Sequence, residues 1–459
     1  MMAALPAQKS AILRKLVETA PCRVVASLQQ ALAETSDDSA LGSVRRLVDA
    51  EIDDRSFRGA VLSPVAPMFI GPGNSARALT FPDRALSLIW RGLKTVEGAA
   101  ISEALDARGL TEKPRGWDDS YDRLAAAAAR GLRDRINDDF RVAAEVCDIA
   151  RPDGAAALAN CLEIAPVVRR ATGKLPVWIA HASSETAAAA RVAYSDAVNI
   201  SEDAGPRFFE MLAAQLDQPW MVLRIISAVM DRPTERYMAD TELASFVVKV
   251  MDDIELTIVA VDNLDLDGGA AAGQFAASAT EIAVSQIAEI ETNFEMSRER
   301  GWGNRVQKQR LRLAAVVESQ LRAAEAATLD ALPMHTTRLH GVQRTLPLLD
   351  SPPDPLRINR ARTLLVFVKD LRTAANYGGF STTRIKLIDK LSEYLANYIE
   401  DVLGLMRSGE AGDLANASAF LEVLADFSDH VAGDKAGELV RRRAHAALSA
   451  QPAVSTQNQ

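Results

Sequence analysis

Cysteine is scarce, and its three occurrences lie far apart in the sequence. Cys22, Cys147 and Cys161 include no pair at the C-x-x-C spacing that redox-active or zinc-binding cysteines use. An odd number of scattered cysteines is typical of reduced thiols in a cytosolic protein rather than of a disulfide framework. We therefore expect a cytoplasmic protein in which Cys147 and Cys161 fill space between helices.

The sequence also lacks a long uninterrupted apolar run. Its most apolar stretch, residues 244–261, contains Lys249, Asp252, Asp253 and Glu255, so it predicts a core helix and not a membrane span. The first 20 residues contain no charged segment followed by an unbroken apolar stretch, and we expect no secretory signal.

Acidic residues outnumber basic ones, and aromatic side chains are few. The net charge is −9 at pH 7, and aromatic residues make up 5% of the chain. Proteins that bind nucleic acids usually carry a basic domain, and single strands are bound on aromatic platforms, so we expect no nucleic-acid partner. Arginine far outnumbers lysine, a bias that is typical of GC-rich bacterial genomes and favours a bacterial source.

Sequence motifs for phosphate, nucleophile or metal chemistry are missing. Gly173-Lys174 is followed by Leu175 instead of the Ser or Thr of a phosphate-binding P-loop. The five histidines show none of the spacings of helical di-iron or zinc-protease sites. A glycine-rich turn at Gly71-Pro72-Gly73-Asn74 has no strand signal before it, so it supports a phosphate site only weakly. We expect no catalytic residue, no cofactor and no bound metal.

Two groups of acidic residues are the remaining candidates for a ligand site. Residues 263–268 place oxygen-bearing side chains at positions 1, 3 and 5 and glycine at position 6 of a possible calcium loop. Position 12 is Gln274 instead of Glu, so we interpret the segment as an acidic turn that ends a helix. Asp134 and Asp138 stand at i and i+4 and share one face of a helix, with Asp252 as a candidate partner.

One helix start could hold an anion. Gly378-Gly379 predicts the end of one helix, and the polar run at 381–383 predicts the cap of the next. Such a positive helix end can bind an anion. A capped helix end is stable without a ligand, however, so the motif is also satisfied by its own side chains.

Apolar residues recur at helical spacing along nearly the whole chain, and strand-like alternation is rare. Hydrophobic residues make up 48% of the sequence, which is enough to bury a core of mostly Ala, Leu, Val and Ile. The pattern predicts an all-α protein of one or more multi-helix bundles, with helix over more than about 60% of its length.

Interruptions of the helical pattern divide the chain into five segments. Prolines and glycines at 56–81 predict a long loop with a short strand at 60–62, and four prolines at 345–357 predict a semi-rigid joint. We expect N-terminal helices and a long loop at 1–80, a central helical bundle at 81–265, a long helical hairpin at 266–350, a C-terminal helical bundle at 351–449 and a disordered tail at 450–459.

The most distinctive pattern lies at 274–331. Six residues of the first helix follow the 4-3 spacing of a coiled-coil seam: Ala276, Thr280, Ala283, Ile287, Ile290 and Phe294. Gly301-Trp302-Gly303 interrupts the pattern, and a second helix follows. A short glycine turn between two long helices predicts an antiparallel hairpin. It could pack inside a bundle, or project as an arm that binds a partner or a second copy of the chain.

Charge changes sign along this hairpin. Residues 231–295 contain 14 acidic and 3 basic residues, whereas residues 298–344 contain 9 basic and 4 acidic ones. The basic side chains either neutralise neighbouring acidic helices or form a docking surface for an acidic partner or a second chain. Because Trp and Arg are enriched at binding hot spots, the candidate interaction site comprises Arg298, Arg300, Trp302, Arg305, Lys308 and Arg310.

These features predict a non-enzymatic helical scaffold, interaction or regulatory protein that acts through a protein partner or through self-association. The alternative is an all-α enzyme or small-ligand receptor with an acidic site between helices. In that alternative Asp134, Asp138 and Asp252 supply the carboxylates.

Overall fold

The computed structural model of the protein has the all-α architecture that helical periodicity predicts. The structure describes residues 6–36, 39–70, 79–108, 117–138, 141, 154–180, 183–201, 203–339 and 342–449. It is 81% helical, and those residues form 19 α-helices and two small two-stranded sheets. Within the same residues, no helix is both long enough and apolar enough to cross a membrane.

The chain separates into two compact units, Met1–Pro233 and Thr234–Gln459. The finer division into segments remains a prediction. The helices described in the first unit are α1 (Ala7–Thr19), α2 (Cys22–Leu32), α3 (Ala40–Val61), α4 (Asp83–Arg108), α5 (Trp117–Asp138), α6 (Gly154–Thr172), α7 (Leu175–Ala180), α8 (Ser184–Val198), α9 (Ala204–Ala214) and α10 (Val222–Val229). Two parallel strands, β1 (Phe69–Ile70) and β2 (Phe81–Pro82), pair just before α4.

Helix α6 forms the centre of the core in the first unit. Its sequence is small and apolar on nearly every side, and 13 of its 19 residues are buried. It packs against α5, α8 and α9. The alanine run of α5 lets these helices approach closely, because most of the alanines between Ala125 and Ala129 are themselves buried.

The prediction of a long loop at 56–81 is wrong for the first residues of that range. Helix α3 continues to Val61, because Phe57 and Val61 lie one turn apart and are both fully buried. The strand expected at 60–62 is therefore the end of a helix. A turn and a 3-10 helix at Ala66–Met68 lead into β1. The Gly71-Pro72-Gly73-Asn74 turn lies outside the described residues.

The second unit contains a larger set of long helices. Those described are α11 (Glu235–Met238), α12 (Ala244–Asp262), α13 (Gly269–Asn293), α14 (Gly301–Ala331), α15 (Pro355–Asp370), α16 (Arg372–Gly378), α17 (Ser381–Ser408), α18 (Leu414–Val431) and α19 (Asp434–Ser449). Helix α12 is the apolar stretch expected to be a core helix, and its inner face includes the fully buried Val247, Met251, Ile254 and Ile258.

Four of these helices form a ring, and the expected long hairpin is not confirmed. Helix α13 packs chiefly on α12 and α15, and α14 packs on the same two helices. Helices α13 and α14 touch each other only slightly, so they lie on a diagonal of the ring. The seam of α13 is buried as expected, but α12 and α15 cover it. Gly273 permits the close approach to α15, since a Cβ there would overlap the carbonyl oxygen of Thr363.

A β-hairpin follows α14 and was not anticipated from the sequence. Strands β3 (Met334–Leu339) and β4 (Val342–Pro347) pair antiparallel, with Thr336 opposite Thr345. The sequence here contains two short runs with β-branched residues, and the two residues between them end with Gly341. This pattern is typical of a β-hairpin. The start of the hairpin is fixed to α17, because the Tyr394 and Tyr398 hydroxyls donate to the carbonyl oxygens of Leu332 (2.6 Å) and Pro333 (3.2 Å).

Candidate functional site

The first turn of α14 begins at a position that requires glycine. Gly301 has φ +62°, and a Cβ at this residue would overlap the Glu235 carboxylate. Glu235 Oε1 accepts a hydrogen bond from the backbone N–H of Trp302 at 2.7 Å, and the Glu235 N–H donates to the Glu295 carbonyl at 2.9 Å. A carboxylate is stabilising beside the positive end of a helix. The N-terminus of α14 is thus occupied by a side chain of the same chain.

Three basic side chains of α14 form ion pairs within the second unit. Arg305 pairs with Asp252 and Arg312 pairs with Glu255, both on α12, whereas Arg310 pairs with Glu291 on α13. These pairs join α14 to its neighbours across the surface of the ring. They correspond to the expected neutralisation of acidic helices, and this part of the positive charge is compensated inside the chain.

Three other basic side chains form no such ion pair, and the exposed Glu299 lies between two of them in the sequence. Arg298, Arg300 and Lys308 are exposed, and none has an ion pair among the described residues. The Arg298 carbonyl accepts from Asn304 Nδ2 at 3.4 Å, and Lys308 follows Asn304 by one helical turn. The half-buried Trp302 lies in the same turn as Asn304. We refer to Arg298, Arg300, Trp302 and Lys308 as the basic edge.

Next to the basic edge, α12 and α14 expose large apolar side chains. The two helices run parallel, since Gln309 Nε2 donates to the Met251 carbonyl (2.7 Å) and Gln320 Nε2 donates to the Val261 carbonyl (3.0 Å). Leu256 on α12 is 68% exposed, and Leu311 on α14 is 61% exposed. Each is adjacent in sequence to a member of the Arg312–Glu255 ion pair. Two exposed leucines therefore lie on neighbouring helices, each beside the ion pair that joins those helices.

The acidic residues of the alternative hypothesis are distributed over both units. Asp134 and Asp138 belong to α5 of the first unit and are exposed. Asp252 belongs to α12 of the second unit and is paired with Arg305. Among the described residues, no group of three or more His, Cys, Asp or Glu side chains is placed to hold a metal ion.

The acidic turn at 263–268 holds α15 in place. The Asp265 carboxylate accepts from the Asp267 N–H at 3.0 Å, as in a helix cap. Asp267 pairs with Arg360 on α15 at 2.8 Å, and this hydrogen bond lowers the pKa of the Asp267 carboxyl. Asn359 Nδ2 donates to the Asp267 carbonyl at 2.9 Å. The acidic groups therefore form the helix-ending turn expected from the sequence, with in-chain partners.

The helix start at 381 also uses its polar groups internally. Gly379 adopts φ +85°, and Phe380 is the N-cap without a side-chain hydrogen bond, so the expected polar cap is wrong. Ser381 Oγ bonds to Asn376 Oδ1 at 3.2 Å. Arg384 donates to the carbonyl oxygens of Val368 (2.7 Å) and Lys369 (3.2 Å), near the end of α15. Burial lowers the pKa of Arg384, with a smaller contribution from Arg372.

The cysteines divide between surface and interior. Cys161 is buried in α6, and burial raises the pKa of its thiol far above the ordinary range. This environment fits the expected packing role, because a buried neutral thiol is unreactive. Cys22 is exposed at the start of α2, where it accepts from Arg55 Nη1 at 3.3 Å. Cys147 lies outside the described residues.

Comparison of the chain with protein-family models, with curated proteins and with solved structures found no match.

Proposed function

We propose that the protein is a non-enzymatic helical interaction or scaffold protein of the bacterial cytoplasm. Its second unit captures an acidic protein partner on the face formed by α12 and α14. The observation that carries this proposal is the basic edge. Arg298, Arg300 and Lys308 remain without ion pairs in the described residues, although the neighbouring arginines of α14 are paired.

Uncompensated positive charge on one edge supports recognition of an acidic surface. Complementary charges accelerate association and suppress wrong partners more than they raise affinity. The whole chain carries a net charge of −9, so the basic edge differs in sign from most of the protein. This difference would orient an acidic partner towards α14 rather than towards other faces.

The exposed apolar side chains of α12 and α14 support the same proposal. Leu256, Val259 and Leu311 are exposed on adjacent helices, and Trp302 is half-buried in the first turn of α14. Protein interfaces typically combine an apolar centre with a charged and polar rim. In this arrangement the partner would bury the leucines, and the basic edge would orient the partner and make its binding specific.

The test is a pull-down from native lysate with the full chain as bait, followed by mass spectrometry. The informative variant combines Arg298→Ala, Arg300→Ala and Lys308→Ala, which removes the uncompensated charges. The matched control combines Arg305→Ala, Arg310→Ala and Arg312→Ala, which removes an equal number of paired charges from the same helix.

We expect the first variant to lose the captured acidic protein while its thermal unfolding is unchanged. The control should retain most capture, with a slightly lower melting temperature. Equal capture by the wild type and the first variant would contradict the proposal. Sedimentation velocity distinguishes self-association from capture of another protein. If the wild type is a dimer and the first variant is a monomer, the partner is a second copy of the chain.

A further inference from the structure

A cavity of about 180 Å³ lies between α4 and α5 in the first unit. Nine of its eleven lining residues are apolar or glycine, and the other two are Asp134 and Arg135. Ile89 and Leu132, on opposite helices, are among the buried lining residues. An engineered apolar cavity of about 150 Å³ is large enough to bind benzene. The space is therefore suited to the apolar part of a small molecule.

One glycine on each helix lines this space. A Cβ at Gly131 of α5 would meet no atom within 4 Å, so there is empty space beside this residue. A Cβ at Gly92 of α4 would lie 2.7 Å from Arg135 Nη1 and 2.9 Å from Arg135 Cζ. The Arg135 guanidinium thus lies against the backbone of Gly92 and reaches across from one helix to the other at the cavity.

Arg135 brings a guanidinium to the cavity whose donors have no partner among the described residues. The structure gives it no hydrogen bond and no ion pair in the described part of the chain. Arg133, two residues earlier on the same helix, differs in this respect, because it pairs with Glu163 at 2.8 Å and donates to Asn160 Oδ1 at 2.6 Å. Of these two arginines of α5, Arg133 is used in packing and Arg135 has donors that are available.

We propose that this cavity binds a small amphipathic carboxylate, such as a medium-chain fatty acid. Its hydrocarbon part would occupy the space opened by Gly131, and its carboxylate would accept hydrogen bonds from the Arg135 guanidinium. Arginine presents paired donors that match a carboxylate. Asp134 also lines the cavity and opposes an anion, so the proposal depends on the guanidinium lying at Gly92. This site is independent of the basic edge and of the proposed protein partner.

Isothermal titration of the full chain with octanoate, octanol and octylamine tests the assignment of the head group. All three carry the same hydrocarbon chain, and they differ in the charge of one end. We expect octanoate to bind about tenfold more tightly than octanol, as a charge-assisted hydrogen bond implies, and octylamine to bind most weakly. Absence of octanoate binding, or tighter binding of octylamine, would overturn the proposal.

Variants locate the binding. Gly131→Leu fills the cavity and should abolish octanoate binding. Gly59→Leu is the matched control, because Gly59 also lies inside a helix of the first unit with no atom within 4 Å of a built Cβ. It should bind octanoate like the wild type. Octanoate binding that survives in Gly131→Leu would place the ligand elsewhere and overturn the proposal.

Arg135→Gln separates the head group from the cavity and remains informative if circular dichroism shows that Gly131→Leu is misfolded. Its affinity for octanoate should fall about tenfold, while its affinity for octanol should stay unchanged. An unchanged affinity for octanoate would overturn the role of Arg135.

Discussion

The two units use charged side chains in different ways, and the first unit points them inward. Asp54 is only 8% exposed, accepts from Trp90 Nε1 at 3.0 Å and pairs with Lys94 at 2.6 Å. Arg169 donates to the carbonyl oxygens of Ala60 (2.7 Å) and Val61 (2.6 Å), at the end of α3. These charged groups form hydrogen bonds with a buried N–H group and with carbonyl oxygens at a helix end, so they stabilise the fold.

In the second unit, most ion pairs among the described residues lie at the surface between helices, although Arg384 holds the end of α15 much as Arg169 holds the end of α3. The side chains of the Arg305–Asp252 pair are 39% and 59% exposed, and those of the Arg357–Asp330 pair are 49% and 58% exposed. Exposed pairs contribute at most about 1 kcal/mol each. Surface charge in this unit therefore does little for folding. It shapes the electrostatic field around the basic edge instead.

The largest expected effect comes from the buried carboxylate of the first unit. Asp54→Ala leaves the buried Trp90 N–H without an acceptor and Lys94 without its counter-ion. We expect it to lower the free energy of unfolding by about 3 kcal/mol. Urea unfolding followed by tryptophan fluorescence measures this loss.

Asp252→Ala in the second unit is the comparison for that variant, because it removes an exposed carboxylate from an ion pair. It should change the free energy of unfolding by less than about 1 kcal/mol. If Asp252→Ala were as costly as Asp54→Ala, the contrast between the units would be wrong.

A second effect concerns the arginine that holds the end of α3. Arg169→Leu removes the guanidinium that lies over the ring of Tyr121 and that donates to Ala60, Val61 and Asp122. We expect a loss of about 2 kcal/mol in the free energy of unfolding, since two carbonyl oxygens lose a charged donor. Hydrogen exchange should rise first at the end of α3. Unchanged exchange there would show that Arg169 is dispensable.

A smaller effect is expected at the start of α14. Glu235→Ala removes the acceptor of the Trp302 N–H and the negative charge beside the helix end. The cost should be about 1 kcal/mol, as for other N-terminal caps. Glu235→Gln retains an acceptor oxygen and should lose less stability in the same thermal melt. Equal losses in the two variants would mean that the charge, and not the hydrogen bond, is what matters.

The smallest effect is a pH dependence from His430 in α18. Burial lowers the pKa of His430, and the nearby Asp426 opposes this shift only in part. Below a pH of about 6.5, the ordinary pKa of histidine, His430 binds a proton in the unfolded chain more readily than in the folded chain. Stability should therefore fall as the pH drops through this range, and level off once the folded form is also protonated. His430→Gln should flatten this part of the stability curve. An identical curve for the variant would contradict the assignment.

Much of the fold could be predicted from local pattern, because a helix with one apolar side shows it in its own sequence. The seam of α13 and the apolar α12 were both placed correctly in the interior. The partner of that seam was not predictable, since any long apolar helix could have covered it. The pattern is consistent with a hairpin, but α12 and α15 take that place.

The candidate site was predictable only in part. Composition drew attention to the basic residues around Trp302, but their pairing depends on carboxylates far away in sequence. Arg305 and Asp252 are 53 residues apart, and Trp302 and Glu235 are 67 residues apart. Sequence alone therefore could not separate the paired arginines from Arg298, Arg300 and Lys308. The cavity beside Arg135 depends likewise on how α4 and α5 approach.

The most direct test of the proposed docking surface is charge reversal at the basic edge. A variant with Arg298→Glu, Arg300→Glu and Lys308→Glu is compared with the wild type in partner capture at low salt and at about 1 M salt, where the screening length falls to about 3 Å. We predict that the wild type captures its partner at low salt and loses most of it at high salt, and that the variant captures none at either. Equal capture by both proteins, with the same dependence on salt, would contradict the account.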